Sequence, residues 1–426
     1  MWFRYFIFFI VLLVATLGQS QEASTAFWEK WEIQPVLGVQ TWATYTSNHQ
    51  VFNATTGQYE AVANRLNLHL RRTRFGINAQ LSDDLQLKIV GAADNVGRDL
   101  LAGTIGGVNN GSFPSLGLWD AYLEWRLIPK QESLYLVGGY MRQPFSRESL
   151  TGALRTSSIE KSMSQYYIRQ HLVGTGPGRS MGVMAAGQFA FPNLGLTYEA
   201  GVFNSYVATS SGHSTGNQYA PLFVGRMVLN VGEPEHSSYR FGYKANYFGK
   251  RNGLSVGLSG AHQGATMLFR NNWAWNIDLL WNKGPWHLEG EWAWLARRTR
   301  GELNGTEVYD SETGFIRLGY NIPVRGGSRW LEPTVMMMRF QGGRSQPAQA
   351  LAEQLDSFAG HDITYDIGLN YHLVPNHLTL QLHYTHRQGD AGSAAAGEEL
   401  NQYFFQRGVG AIQRGNWWGL GLVFVY

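Results

Sequence analysis

The sequence predicts an all-β fold, a transmembrane antiparallel β-barrel of about 16 strands. Three observations support this: many glycine and aromatic residues at low mean hydropathy, repeated alternation of apolar and polar side chains, and an alternating apolar segment at the C-terminus. The chain has 51 glycines and 14% aromatic residues, and its mean hydropathy is -0.23. Barrel strands need this mixture because lipid-facing and lumen-facing residues alternate along each strand.

The N-terminus has the pattern of a secretory signal peptide. Arg4 precedes an apolar run over residues 6–17, and Gly18-Gln19-Ser20 then supplies a small-residue cleavage site. The run is too short to cross a bilayer as a helix, which disfavours the alternative of a retained anchor. We therefore expect a signal peptide at 1–20 and one barrel domain at 21–426. The absence of cysteine excludes disulfides and a lipid-anchored lipoprotein.

One predicted hairpin places cationic side chains on the inner face of the barrel. Over residues 65–80 the alternation changes parity near Arg71, which predicts a β-bulge. After the bulge, Arg72 and Arg74 lie on the face opposite Phe75. Lys88, in the following strand, also lies opposite the apolar face. These three cations should face the lumen.

Two further segments alternate clearly. In one, Trp119 to Trp125 puts its apolar residues on a face of their own, opposite a polar set formed by Asp120, Tyr122, Glu124 and Arg126. The other ends the chain and has a large apolar residue at every second position, namely Trp418, Leu420, Leu422, Phe424 and Tyr426. A buried strand of a soluble sandwich could look the same, but a final strand that pairs with the first would close a barrel.

The connections suggest the two rims of a barrel. Short turns are predicted at residues 282–285, 322–327 and 374–377, and long polar connections at 299–310, 342–360 and 388–412. Counting every alternating segment gives about seventeen crossings, and bacterial barrels have an even number. We interpret residues 237–250, which carry three basic side chains, as an extended turn, which leaves about 16 strands.

Residues 139–162, GYMRQPFSRESLTGALRTSSIEKS, begin as a strand and continue as a charged segment. We expect residues 143–178 to fold into the barrel after strand 5 and to narrow it. Arg142 would then lie on the wall, and Arg147, Arg155 and Lys161 at the constriction, with Arg169 and Arg179 beside it.

Residues 139–162 resemble a segment of the phosphate-selective porin O and P family. Further matching segments lie at residues 71–89, 120–125, 178–182 and 198–204. Arg142 stands where the family often has lysine. Within residues 139–162, the positions that match the family's pattern are Gly139, Arg142, Pro144, Phe145, Ser146, Glu148, Ile159, Glu160, Lys161 and Ser162.

The resemblance implies an outer-membrane porin of a Gram-negative bacterium. Such a protein lets small hydrophilic solutes diffuse passively, here anions such as phosphate, and assembles as a homotrimer in outer-membrane lipid. The resemblance also implies sixteen strands. The alternative is a plugged barrel that serves binding or adhesion rather than transport.

The charged residues suggest the chemistry of the pore. Arginine and lysine in a narrow lumen attract anions through charge-assisted hydrogen bonds, and arginine is suited to oxyanions. The alternative is that these cations pair with Asp120, Glu124, Glu148 and Glu160, which would leave a weakly selective pore. The expected pore-lining and anion-binding residues are Arg72, Arg74, Lys88, Arg142, Arg147, Arg155 and Lys161.

Other functions find little support. A net charge of +3 does not suggest a nucleic-acid partner. Residues 174–180 lack the lysine of a phosphate-binding loop. His383 and His386 lie three apart, which puts them on opposite faces of a strand. We expect no enzyme activity, no metal and no cofactor.

Overall fold

Sixteen antiparallel strands form a closed barrel in this computed structural model, which describes residues 31–102, 115–208, 212, 214–303 and 306–426. The predicted signal peptide lies outside the described residues. The strands are β1 (Ile33–Ser47), β2 (Arg65–Ser82), β3 (Leu85–Val96), β4 (Gly117–Arg126), β5 (Tyr135–Arg142), β6 (Arg179–Phe191), β7 (Leu194–Phe203), β8 (Leu222–Gly232), β9 (Gly253–Gln263), β10 (Asn271–Lys283), β11 (Trp286–Leu303), β12 (Thr306–Tyr320), β13 (Arg329–Gln341), β14 (His361–Val374), β15 (Leu378–Asp390) and β16 (Asn416–Val425).

The barrel closes because β1 pairs with both β2 and β16. Thr41 lies opposite Leu422 of β16 and opposite Leu70 of β2. Trp418 and Leu420 of β16 are exposed on the outer face, whereas Trp417 is buried inside. The alternation at the end of the chain therefore belongs to a closing strand, as predicted.

The connections at one rim are short, and most of those at the other are long. Residues 233–252 join β8 to β9 without a strand of their own, so the predicted turn at 237–250 is confirmed and the strand count is even. The long polar connection predicted at 299–310 is wrong. There β11 and β12 continue to pair, with Arg298 opposite Val308, because backbone hydrogen bonding does not require apolar side chains.

A β-bulge in β2 follows the predicted parity change. Gln40 of β1 lies opposite Arg72 while the next residue, Thr41, lies opposite Leu70, so Arg71 is the extra residue. Arg71 and Arg72 are both buried inside the barrel. Two consecutive arginines thus face the lumen.

Helices occur only in connections within the described part of the chain. α1 (Arg147–Leu150) and α2 (Ser164–Val173) lie between β5 and β6, and α3 (Gln346–Gln354) lies between β13 and β14. None of the helices among these residues is long and apolar enough to cross a membrane. The remaining elements of the described chain are short. They are two 3-10 turns (Leu100–Ala102, Arg325–Gly327), a strand beside β13 (Ile322–Val324) and a four-stranded sheet at the long-loop rim (Gln50–Asn53, Gln58–Ala61, Phe405–Gln406, Gly410–Gln413).

Candidate functional site

The connection between β5 and β6 contacts lumen-facing side chains of the far wall. The Tyr167 hydroxyl donates to Asp362 of β14 at 2.5 Å, and the Ser164 hydroxyl donates to Glu291 of β11 at 2.7 Å. Asn370 of β14 donates its amide to the Ser157 carbonyl oxygen at 2.5 Å. These three contacts hold the connection, hereafter the inner loop (143–178), inside the barrel.

The first part of the inner loop is fixed by buried ion pairs around α1. Ser146 caps the helix by accepting from the Ser149 amide at 3.1 Å. The Glu148 carboxylate accepts from Arg317 of β12 at 3.0 Å and from the Ser162 amide at 2.6 Å. The short sequence motif around Ser146 and Glu148 therefore anchors the loop.

Arg147 does not lie at the constriction, which corrects the prediction. Its guanidinium donates two hydrogen bonds of 2.7 Å to Glu235 of the β8–β9 turn, and its side chain is only 1% exposed. It is not among the residues that line the cavity. Glu235 is distant in sequence, so no local pattern reveals this pairing.

The second part of the inner loop is fixed by Glu160. Arg71 donates to its carboxylate at 2.8 and 2.5 Å, and Arg72 donates to the other carboxylate oxygen. Burial raises the pKa of Glu160, but the two guanidinium groups and the Lys161 amide lower it more, to about 2. The bulge in β2 is what allows two consecutive arginines to reach one carboxylate.

Glycine is required at the start of this region. Gly139 of β5 has a φ of 141°, and a Cβ atom there would lie 2.3 Å from the Ala121 carbonyl oxygen. An L side chain at this position would be strained and would collide with β4. The glycine in the sequence motif thus permits close pairing of β4 and β5.

A cavity of about 1750 Å³ remains inside the barrel and reaches both rims. Asp84, Glu132 and Tyr426 line it at the short-turn rim, and Glu398 and Arg407 line it at the long-loop rim. Strands β2 to β6 form one of its walls and the inner loop forms another. Its shape is that of a passage along one side of the lumen.

Several arginines on this passage are neutralised by carboxylates. Arg74 donates to Asp94 at 2.5 and 3.1 Å, and Arg179 donates to Asp120 at 3.2 Å. Glu160 is shared by the two arginines described above. The predicted pore residues Arg72 and Arg74 therefore line the cavity as members of ion pairs.

Several other cations that line the passage have no carboxylate within 4.0 Å among the described residues, and four of them are buried or half-buried on β3, β5 and the inner loop. Arg142 donates to the Leu150 carbonyl oxygen at 2.6 Å, and Lys161 donates to that of Thr151 at 2.9 Å. Carbonyl groups carry no net charge, so these bonds leave both cations uncompensated. We call the four residues the inner cations: Lys88, Arg142, Lys161 and Arg169.

Gly178 makes room for one of the inner cations. It has a φ of 65°, and a Cβ atom there would lie 1.9 Å from Cδ of Arg169. Arg155, also predicted at the constriction, is exposed and lines the same cavity. Six of the seven predicted site residues, all except Arg147, thus lie on the passage.

Trp119 corrects a second prediction, because it lines the cavity instead of facing lipid. Val90 of β3 lies opposite Asp120 while Gly91 lies opposite Leu118, so Trp119 is an extra residue of β4. Its ring lies 3.9 Å from the Arg74 guanidinium carbon and 3.8 Å from that of Arg179. Trp119 and Arg71 are among the lining residues that sequence reasoning missed, and both are bulge residues.

The opposite side of the lumen is filled. Arg226 of β8 pairs with Asp278 of β10 at 2.5 and 2.8 Å. Glu332 of β13 lies 3.0 Å from His287 and 2.8 Å from His372. All five side chains are buried. In the part of the chain that the structure describes, no group of three or more His, Asp or Glu side chains could hold a metal ion.

Known proteins share this fold. The outer-membrane channel DcaP of Acinetobacter baumannii superposes with a TM-score of 0.53 at 13% identity, covering 92% of this chain and 97% of DcaP. The anion-selective porin from Comamonas acidovorans gives 0.52 at 12%, covering 92% and 99%. OprB of Pseudomonas putida gives 0.55 at 9%, covering 95% and 97%. No curated protein sequence matches the chain.

The family can be assigned from the sequence itself. The family model described as phosphate-selective porin O and P matches residues 43–402, which is most of the chain. Family and fold together point to a channel rather than an enzyme, in the outer membrane of a Gram-negative bacterium. The chain belongs to the phosphate-selective porin O and P family and is an outer-membrane porin.

Proposed function

We propose that this porin prefers anions, inorganic phosphate among them, and that the inner cations set this preference. The observation that supports the proposal is the placement of Lys88, Arg142, Lys161 and Arg169 on one passage without carboxylate partners in the described structure. Asp94, Asp120 and Glu160 on the same walls are each already paired with arginine. Glu124 also lines the cavity and makes no ion pair in the described structure. The lining nevertheless includes 14 lysine and arginine side chains against 11 aspartate and glutamate side chains, so the passage carries an excess of positive charge.

The mechanism is passive diffusion with partial replacement of the hydration shell. An anion that enters the lumen loses some of its water and accepts hydrogen bonds from the ammonium and guanidinium groups on the walls. Such bonds are stronger than those between neutral partners, especially where water is scarce. Because several cations share the passage, an anion can pass from one to the next without binding too tightly to leave.

Planar-bilayer recording tests the proposal. Under a salt gradient the wild-type reversal potential should show anion preference, and added phosphate should reduce the chloride current. The triple variant Lys88→Gln, Arg142→Gln and Arg169→Gln should shift the reversal potential toward zero. The matched control Lys130→Gln, Lys250→Gln and Lys283→Gln removes the same charge from exposed residues that do not line the cavity.

The possible outcomes separate the alternatives. The proposal is supported if the wild-type channel selects anions and the Lys88, Arg142 and Arg169 triple variant loses this selectivity. Equal reversal potentials in the two triple variants overturn the role of the inner cations. A wild-type protein that inserts but gives no conductance steps would overturn the channel proposal in favour of a plugged binding barrel.

We also infer that the mature protein is a homotrimer that begins after Ser20. The family resemblance supports the trimer, and the N-terminal pattern supports cleavage. Light scattering in detergent should give three copies per particle, and the intact mass of the exported protein should lack residues 1–20. A monomer, or a mass that retains these residues, would contradict the respective inference.

A further inference from the structure

A groove of about 960 Å³ crosses the outer wall of the barrel between β5 and β10. Its floor follows one row of cross-strand neighbours, in which Ala185 of β6 lies opposite Ala200 of β7. Gly225 of β8 lies opposite both Ala200 and Gly260 of β9, and Trp275 of β10 lies opposite Gly260 and closes the row. A Cβ atom at Gly225 would have no heavy atom within 4 Å, so the floor is open.

Larger side chains border this floor on both sides. Toward the long-loop rim, His262 of β9 lies opposite Phe223 of β8 and opposite Trp273 of β10. Toward the short-turn rim, Met227 lies opposite Leu258, and both are exposed. Successive outward residues of a strand are about 6.6–6.8 Å apart, so the bordering rows leave a narrow, mainly apolar channel on the surface. Its shape fits an extended hydrocarbon chain.

The groove lies in the half of the wall that is nearer the long loops. Gly225 is three residues from the end of β8 at Leu222 and seven from the end at Gly232, and Gly260 is placed in the same way in β9. Long loops of bacterial barrels are extracellular, so the groove faces the outer leaflet of the outer membrane. The lipid of that leaflet is lipopolysaccharide, which is anchored by lipid A, a phosphorylated unit with several acyl chains.

Two arginines lie at the rim above the groove. Arg300 of β11 reaches over the connection between β9 and β10 and donates to the Thr266 carbonyl oxygen at 2.6 Å. The Thr266 amide donates to the Phe269 carbonyl oxygen at 2.9 Å, and Arg270 follows directly. Both arginines are therefore held at one tight turn. Both are exposed, and neither has a carboxylate within 4.0 Å in the described parts of the chain.

We propose that this face binds lipopolysaccharide of the outer leaflet, with an acyl chain of lipid A in the groove and a lipid A phosphate on Arg270 and Arg300. Arginine donates paired hydrogen bonds that fit the oxygens of phosphate. Trp273, two residues inside the rim, belongs to the aromatic girdle that marks the level of the lipid headgroups. The proposal does not depend on the anion preference of the pore, because neither arginine lines the passage.

The observations favour a lipid over a second copy of the chain. A neighbouring barrel presents a gently curved wall, which would leave the floor at Gly225 without contact, whereas a flexible acyl chain can fill it. Lipid phosphate also supplies the negative charge that Arg270 and Arg300 lack in the described structure. Apolar fit and charge thus point to the same partner.

Native mass spectrometry of the purified porin in detergent, with added lipid A, tests the role of the arginines. The variant Arg270→Gln and Arg300→Gln should raise the Kd for lipid A about tenfold, the effect of losing a charge-assisted hydrogen bond. Its matched control, Lys130→Gln and Lys283→Gln, removes the same charge from exposed residues of the short-turn rim and should bind like the wild type. Dephosphorylated lipid A should bind both variants equally.

A second variant tests the groove. Gly225→Leu places a side chain in the open floor and should raise the Kd for lipid A about tenfold, the effect of displacing about two methylene groups from contact. Ala121→Leu, half-buried on the outer face of β4 and outside the groove, is its control and should bind like the wild type. If Gly225→Leu does not fold, the exposed arginine variant still tests the proposal.

The outcomes are separable from those for the pore. Wild-type affinity for lipid A in the arginine variant overturns the proposal, and so does an equal loss of affinity for dephosphorylated lipid A. If Gly225→Leu keeps its lipid affinity but lowers the number of copies per particle in light scattering, the groove is an interface between copies and the proposal is overturned. The reversal potential should remain that of the wild type in every variant, so a failure here leaves the proposed anion preference intact.

Discussion

The two sides of the lumen use the same kinds of side chain for different purposes. On the closed side, formed by β8 to β15, charged residues such as Arg226, Asp278 and Arg317 are buried and paired. On the open side, formed by β2 to β6 and the inner loop, Lys88 and Arg169 line a passage without carboxylate partners in the described structure. Strand alternation orients both sets inward, so the position of the inner loop decides which charges meet solute.

The largest effect should come from breaking an ion pair on the closed side. Arg317 donates to Glu148 at 3.0 Å and also to Glu289, and all three are buried. Arg317→Gln would leave the buried Glu148 carboxylate without an ion-pair partner and Glu289 with Arg147 alone, at 3.8 Å, so it should lower the free energy of unfolding by about 3–5 kcal/mol. Denaturant unfolding in detergent measures this change.

The control for Arg317 is Arg270→Gln, which removes the same charge at an exposed residue with no side-chain partner in the described structure. The control should unfold like the wild type. Equal unfolding midpoints for the two variants would contradict the idea that the closed side is held by its buried charges.

The contact between the inner loop and β2 should weaken in acid. Because the pKa of Glu160 falls to about 2 in the folded state, its contribution is complete above the unfolded value near 4.5 and is lost as pH falls toward 2. Glu160→Gln should therefore cost on the order of 3 kcal/mol at neutral pH and almost nothing near pH 2.

Unfolding free energies of both proteins across this pH range measure the effect of Glu160. Asp83→Asn, at an exposed residue of the short-turn rim, should show no comparable pH dependence. A Glu160→Gln penalty that stays constant from neutral pH to pH 2 would rule out ionisation as its cause.

A smaller effect is expected where the backbone makes room for an inner cation. Gly178→Ala puts a side chain at a φ of 65° and against Arg169, which should cost about 1–3 kcal/mol and displace the guanidinium. Gly176→Ala is the matched control, because nothing lies within 4 Å of its added Cβ. Unfolding and single-channel conductance should change for the first variant alone; identical behaviour of both would argue against this close approach.

The smallest effect on stability is expected on the open side. Lys88→Gln removes a cation that makes no ion pair in the described structure, so the free energy of unfolding should change by less than about 0.5 kcal/mol. The reversal potential should nevertheless move toward zero, whereas Lys283→Gln, exposed on β10 away from the cavity, should leave it unchanged. A large loss of stability in Lys88→Gln would erase the contrast between the two sides.

Local patterns were sufficient to predict most of the fold. The barrel, the closing strand and the bulge near Arg71 follow from alternation within a few residues, and the turn at 237–250 follows from the even number of strands that a barrel requires. Contacts between distant segments could not be predicted in this way. Arg147 is buried because it pairs with Glu235, which lies 88 positions away in the sequence. Trp119 faces inward because β3 has no residue opposite it.

The bulge at Arg71 has a further consequence for how such a pore can be modified. A regular strand presents one inward side chain about every 6.6–6.8 Å along its length. The extra residue raises this linear density of lumen-facing side chains locally and adds none to the lipid-facing surface. A one-residue insertion or deletion in a barrel strand can therefore add or remove a charge from the interior while the membrane continues to meet the same outer wall.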